Sequence, residues 1–409
     1  MLPLDQLPPA PTNPPLALLK GVRVLDLTTS IAAPYATMLM ADMGADVVKL
    51  ERPGTGDDAR AWGPPFLEGE SLWFLSVNRG KSSITLDYAS PEGWEVLSKL
   101  VAAADVVVVN LVPRVQKKLR VDYETLKAIK PSLIFVSLTG FGISGARADL
   151  PAYDLIAEGY SGVMDITGEA DSPPQKIGTP AADLLAGTDA VIGTLAALYD
   201  RSRTGQGHLV DISMIESMTR FLSPRIVTYL GSGEVPQRTG ARDSVIAVYQ
   251  SFNTADKPIN VGLGNDGIWK KFWKLLGDTA FGDQPRFASN AQRHSERAEI
   301  VGIIQKRLLE HTRDEWLEKF AQAKIPAGPI NRVDEVSADA ELMKRGFLYR
   351  MQHQGHDIPQ VGLGIQFDGA AAGPSSSPPA LGADTRDVLR GWAGIEDAQL
   401  EELKRKGVI

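Results

Sequence analysis

Cysteine is absent from all 409 residues, which excludes disulfides, thiolate metal sites and thiol nucleophiles at once. Histidine is scarce: His208, His294, His311, His353 and His356 are the full set, and no pair has the helix-face spacing of a metal site within an acidic cluster. The one close pair, H-x-x-H at 353–356, sits in MQHQGHD and reads as a polar loop, so no metal is expected. A G-x-S-x-G elbow is missing too, and no histidine is obviously poised to deprotonate a serine. The longest apolar stretch, LVAAADVVVVNLV, is interrupted and too short for a bilayer. No long run of one charge sign occurs: 43 basic and 50 acidic residues leave a formal charge of −7, which gives no field to draw nucleic acid or an anionic membrane. The opening MLPLDQLPPAPTNPP lacks the basic start and apolar centre of a signal peptide. A cytoplasmic protein that works on small molecules or meets other subunits is the expectation.

The chain is long enough for two or three domains, and its 43% apolar residues can build large cores. Residues 1–19 hold six prolines and read as an extended arm on the surface or on a neighbouring subunit. From there VRVLDLT (22–28), a helical run over 30–44 and DVVKLE (46–51) form a β-α-β unit. SSITLDY (82–88), a helix over 90–104, DVVVVN (105–110), a helix over 123–130 and LIFVSLTGFG (133–142) continue the alternation, with strands apolar on both faces as a buried parallel sheet requires. The expected fold is α/β: a Rossmann-like large domain over 20–224, a smaller α+β domain over 225–330, and a C-terminal segment, 331–409, returning to the large domain. Within the smaller domain, 245–264 reads as a hairpin turning at Ala255, Asp256 and Lys257, with amphipathic helices over 267–277 and 297–323. GLGNDG (262–267) matches a dinucleotide fingerprint, yet no β-α-β continuation follows it, and it reads better as a polar turn before a helix.

With thiol, metal and base histidine set aside, carboxylates remain as nucleophiles. Asp183 lies in KIGTPAADLLAGTDAVIGTLAAL, among residues small and apolar enough for burial, and a buried unpaired carboxylate costs several kcal/mol, roughly. In a dehydrated site such a group gains basicity and is shielded from hydrolysis of an acyl-aspartyl anhydride. Gly178, Ala181, Ala182 and Gly187 would leave room for a substrate near the backbone. A paired or N-capping structural aspartate, opening the helix read over 187–205, accounts for the same residues.

The blocks GVRVLDLTTSIAAPYATMLMADMGADVVKLERPGTGDDAR, NRGKSSITLD, DVVVVNLVPRVQKKLRVDYETLK, VSLTGFGISG, RTGQGHLVDISMIE and IPAGPINRVDEV, in this order across roughly residues 20–405, resemble the family III coenzyme A transferases. That group includes formyl-CoA and carnitinyl-CoA transferases and shares its fold with α-methylacyl-CoA racemase. The resemblance implies an interlocked, ring-like homodimer and transfer of coenzyme A from an acyl-CoA to a carboxylic acid. It implies no tightly bound cofactor, with coenzyme A entering as part of the substrate, and it makes Asp183 the residue that is acylated. It assigns coenzyme A contacts to Ser30, Ile31, Ala32, Arg52, Lys81, Asn110 and Lys118, where cations suit the ligand's phosphates. Several positions depart from the pattern. Arg114 and Arg120 stand where relatives often have glycine, Thr139 where some have lysine, and RTGARDS (238–244) replaces a glycine-rich flap. Arg238 and Arg242 in that loop could meet a second carboxylate, and succinyl-CoA with a dicarboxylic or aromatic acid is the expected pairing. Tyr153 stands where racemases carry a histidine, so an acyl-CoA racemase is the alternative, and a non-catalytic subunit of a heteromeric transferase is a third reading.

Overall fold

The computed structural model describes residues 2–409. By its internal contacts the chain forms two units. The first runs to Val163 and takes in Lys176–Ser232 and Ala338–Ile409; the second comprises Met164–Gln175 and Gly233–Ser337. The boundaries read from composition at 225 and 330 thus lie a few residues downstream, and the short segment 164–175, which nothing in the sequence set apart, joins the second unit.

In chain order the first unit contains β1 (Arg23–Leu27), α1 (Ala32–Asp42), β2 (Asp46–Glu51), β3 (Lys81–Thr85), α2 (Pro91–Ala103), β4 (Val106–Val109) and β5 (Ile134–Thr139). It continues with α3 (Asp154–Ser161), α4 (Ala181–Thr204), β6 (His208–Ser213) and α5 (Met214–Phe221). The six strands make one parallel sheet in the order β3-β2-β1-β4-β5-β6, the doubly wound order whose ligand crevice lies where the winding reverses, here between β1 and β4. VVVV of β4 and IFVSLT of β5 are buried throughout because helices cover both faces. Successive side chains alternate: Leu25, Val48, Val107 and Phe135 join the α2 side of the core, whereas Asp26 and Lys49, paired in register, are buried with the β1–α1 turn.

One expectation changes here. The helix read from 187 begins at Ala181, so Asp183 lies inside its first turn instead of ahead of it. Residues 208–222 form the edge strand β6 and the helix α5. At 24 residues α4 is apolar and long enough to cross a membrane, yet it packs against α1, β5 and β6.

The second unit holds β7 (Tyr249–Phe252), β8 (Ile259–Gly262), α6 (Asp266–Leu275), α7 (Arg297–Leu308), α8 (Arg313–Ala323) and β9 (Ala327–Pro329). The strands form an antiparallel sheet in the order β9-β8-β7, and Ala327–Pro329 of the IPAGP stretch supplies its third strand. The helix expected over 297–323 breaks in two because Thr312 and Glu315 form a reciprocal cap that starts α8 afresh. In GLGNDG the Asn265 side chain accepts from the Ile268 N–H and caps α6, and the preceding strand is antiparallel, so the motif is a helix start. Trp269, Phe272, Trp273, Phe287, Trp316 and Phe320 centre the core. The indole N–H groups of Trp269 and Trp316 donate to Gly282 O and Leu308 O, both at 2.8 Å.

The chain then returns to the first unit through the hairpin β10 (Leu348–His353) and β11 (His356–Val361), followed by α9 (Thr385–Ala393) and α10 (Asp397–Arg405). Both helices add Val388, Leu389, Leu400 and Leu403 to the α2 side of the core. The proline-rich arm lies along this returning segment: Arg350 N–H donates to Pro8 O at 2.8 Å and Gly373 N–H to Asn13 O at 3.1 Å.

Candidate active site

The site grows from a close approach of two helices. A Cβ on Gly187 would lie 2.6 Å from Ala32 O and 3.0 Å from Tyr35, so only glycine lets α4 press onto the first turn of α1. That glycine was expected to leave room for substrate; its missing side chain is used by helix packing instead. Asp183 stands one turn before it on α4, which puts it on the same side of the helix. A Cβ at Gly178 would meet no atom within 4 Å, so the segment leading into α4 is open.

Pro180 holds the N-cap position of α4 without a side-chain cap. Asp154, the first residue of α3, does the capping across the fold: its Oδ1 accepts from Ala182 N–H at 2.8 Å and from Asp183 N–H at 3.4 Å. Asp183 is therefore neither the cap nor ion-paired. Its half-buried carboxyl is pushed up to about 7, first by burial and then by the negative charge of Asp154, although a first-turn position favours an anion. One turn further along α3, fully buried Glu158 accepts from Ile177 N–H at 2.9 Å. Burial, and then Asp154, raises its pKa. A carboxyl that is half ionised near neutrality, beside open backbone, can attack an activated acyl carbon. Asp154 and Glu158 escaped the sequence reading; their one signal was the i, i+4 spacing in YDLIAE, next to Tyr153.

Ser30, Ile31 and Ala32 follow β1 and Asn110 follows β4, on either side of the winding reversal. The fold joins them: Asn110 Nδ2 donates to Thr29 O at 2.8 Å, and Thr29 N–H donates back to Asn110 Oδ1 at 3.2 Å. The turn needs Ser30 at φ 72°, and its strain is held by Ser30 N–H donating to Asp57 Oδ1 at 2.9 Å and by Lys49 donating to Thr28 O at 2.8 Å. Lys49 and Asp57 are themselves a buried pair at 2.8 Å. Arg52, after β2, is exposed and pairs with Asp58. Lys118 is exposed on the helix Pro113–Leu119 that follows β4. Arg120 ends that helix in the left-handed region at φ 59°, which is the physical reason glycine suits the position; its guanidinium lies over the Trp94 ring.

Lys81 is a correction. It opens β3, at the opposite edge of the parallel sheet from Ser30 and Asn110, and its ammonium is wholly buried. Nζ lies 3.1 Å from Asp26 Oδ2, 2.9 Å from Pro34 O and 2.8 Å from Asn78 Oδ1, so no donor is left for a phosphate. Asp26 in turn accepts from the backbone and hydroxyl of Thr28 and from the Thr37 hydroxyl. Lys81 acts on the β1–α1 turn from beneath.

The loop arginines also divide. Arg238 donates to the Asp165 carbonyl at 2.6 Å and carboxylate at 3.1 Å, which ties 164–175 to the rest of the second unit. Arg242 is exposed beside a cavity of about 560 Å³ lined by Tyr249, Gln250, Asn260 and Gly328; burial and then the Arg242 charge lower the pKa of Arg297.

The family model for CoA-transferase family III matches residues 19–385. A mouse (Mus musculus) protein named succinyl-CoA:glutarate CoA-transferase is 36% identical over 96% of this chain and 90% of its own. Succinate–glutarate CoA-transferase of Agrobacterium fabrum is 37% identical over 96% and 97%. The crystal structure of a CaiB/BaiF family protein from Brucella suis superposes with a TM-score of 0.79 at 38% identity, covering 92% of this chain and 99% of that one. The chain belongs to CoA-transferase family III and is a coenzyme A transferase.

Proposed function

We propose that this enzyme moves coenzyme A from succinyl-CoA to an aliphatic dicarboxylate, with Asp183 as the covalent nucleophile. The observation that carries the reading is the half-buried Asp183 carboxyl, unpaired by any cation among the described residues and raised to about 7. A carboxylate oxygen of Asp183 attacks the donor thioester, the C–S bond breaks and coenzyme A leaves as thiolate, forming a mixed anhydride. The thiolate then attacks the Asp183 carbonyl, releasing succinate and leaving an aspartyl thioester. The acceptor carboxylate attacks that thioester, expelling the thiolate again, which takes the acyl group from the second anhydride and restores the Asp183 carboxylate. Each step exchanges one acyl bond for another, so the sequence needs no net proton and no ATP. The Ser30–Ala32 turn with Asn110, and the exposed Arg52 and Lys118, would receive coenzyme A at the carboxyl edge of the sheet.

The names of the mouse and Agrobacterium relatives support succinyl-CoA as donor and a dicarboxylate as acceptor. Assayed against a panel of acids with succinyl-CoA, the enzyme should prefer C4–C6 dicarboxylates. Equal rates with monocarboxylates would exclude this choice of acceptor. Racemisation is disfavoured because Tyr153 stands where racemases carry a histidine; α-proton exchange in deuterated water without an acceptor acid would restore it.

Asp154 should set the working pH. Asp154→Asn keeps an oxygen for the Ala182 N–H and deletes the charge that hinders Asp183 ionisation. The midpoint of the kcat/KM profile should move to lower pH, by on the order of one unit. A profile that stays in place would separate Asp154 from the nucleophile.

An interlocked homodimer is part of the same reading. It is supported by apolar side chains left exposed on the helices of the first unit: Leu155, Ile156, Tyr160, Ile192, Tyr199 and Leu230. Light scattering that returned the mass of one chain would overturn it.

A further inference from the structure

We propose that Glu70, His353 and His356 form a binding site for one divalent transition-metal ion of the Zn²⁺ class. The argument starts in the turn. HQGH was expected to be a polar loop, but His353 ends β10 and His356 begins β11, and the two are paired in register. Gln354 and Gly355 between them both have positive φ, 46° and 90°, the two-residue hairpin turn whose twist matches the flanking strands. Residues that oppose each other across such a turn carry their side chains on one face, so H-x-x-H becomes a clip of two imidazoles with ring centroids 5.4 Å apart. Glu70, on the short strand Glu70–Ser71, meets that face.

The ligand atoms of the three residues all lie within 4.8 Å of one another. His353 Nε2 is 2.6 Å from Glu70 Oε2 and His356 Nε2 is 3.9 Å from the same oxygen. Two ligands of one tetrahedral Zn²⁺, each at about 2.1 Å, stand about 3.4 Å apart, so sub-ångström side-chain shifts bring all three into range. His356 Nε2 is shielded from solvent and makes no hydrogen bond, while 3.9 Å is too long for one to Glu70. A hydrogen-bonded His353–Glu70 pair alone leaves that buried nitrogen unexplained; a shared cation satisfies it. His353 Nδ1 lies 3.2 Å from the Ser377 hydroxyl, the kind of contact on the far ring nitrogen that fixes the orientation of a metal-bound imidazole. Two imidazoles and one carboxylate suit a borderline cation better than Mg²⁺ or Ca²⁺, which favour oxygen ligands. Glu70 and His356 keep 25% and 23% of their side chains exposed, which leaves a fourth position to water. The ion would tie the tip of the hairpin to the Glu70 strand and to the Ser377 segment.

The test uses the full chain without an affinity tag, stripped with a chelator and titrated with Zn²⁺ against a chromophoric competitor. One Zn²⁺ per chain should bind, and the melting temperature should rise with Zn²⁺ concentration. His356→Gln and Glu70→Gln should each weaken binding at least about tenfold. Because His356 Nε2 makes no hydrogen bond, His356→Gln should melt with the parent protein when metal-free, which separates lost binding from lost folding. Titration with Co²⁺ should give the visible absorption of a low-coordinate nitrogen and oxygen site. No saturable binding at one ion per chain, or undiminished binding by His356→Gln, would overturn the proposal.

Discussion

Asp183→Asn should lose coenzyme A transfer by at least about a thousandfold, since removal of a covalent nucleophile leaves only binding and positioning. The amide matches the carboxyl in size, and the Asp154 contacts run to the backbone of Ala182 and Asp183, so the variant should fold. It should in fact be more stable than the parent at neutral and alkaline pH. The folded-state pKa of about 7 lies above the reference value of 3.8, so the folded chain binds more protons than the unfolded one between these limits. Stability therefore falls as pH rises from about 4 to 7 and stays reduced above it. Replacing the group with Asn removes that loss, by on the order of 1–3 kcal/mol at pH 8 and by nothing at pH 4. Thermal melts of the two proteins across this range, beside initial rates with succinyl-CoA, measure both effects. Transfer within tenfold of the parent would end the covalent mechanism.

Lys81→Met should destabilise the first unit by roughly 3–5 kcal/mol, a fall in melting temperature of roughly 10 °C. Burial pushes the Asp26 carboxyl up, but the Lys81 and Lys49 ammoniums and the Thr28 and Thr37 hydroxyls outweigh it and hold the pKa at about 2. That stabilisation is complete above the unfolded value near 4 and is lost as pH falls toward 2. Without Lys81 the buried carboxylate keeps only Lys49 as a nearby cation. Adding Asp26→Asn to Lys81→Met should return part of the loss, because the uncompensated charge is then gone. The opposite pattern, an unchanged melting temperature with a raised KM for acyl-CoA, would show that Lys81 meets the ligand after all.

The contrast between Lys81 and Asn110 shows how far the site could be read in advance. Both belong to motifs that carry the family resemblance, and both are polar residues at strand ends. Asn110 follows a strand and Lys81 opens one. In a parallel sheet that difference puts them at opposite edges, and only strand direction and register make it visible. The H-x-x-H pair failed for a related reason: a two-residue turn with positive φ at Gln354 turns a polar stretch into a facing pair, and Glu70 is brought to it from a strand nearly 300 residues away. Arg238 and Arg242, four residues apart, part company because Asp165 captures only the first.

The sequence by itself determined the alternation of strands and helices in the first unit, the hairpin of the second, the helix start in GLGNDG, and the family. The first three follow from periodicity, capping and turn chemistry, which act between residues a few positions apart, and the family from the resemblance of whole blocks of sequence. Tertiary structure alone decided that Asp154 caps and charges the surroundings of Asp183, that Gly187 serves helix packing, and that Lys81 is sealed under the turn it was expected to serve. Those outcomes depend on which distant side chains share a dehydrated space. In such a space, burial and then the nearby Asp154 carboxylate lift Asp183 to about 7, while two ammoniums and two hydroxyls outweigh burial and hold Asp26 at about 2.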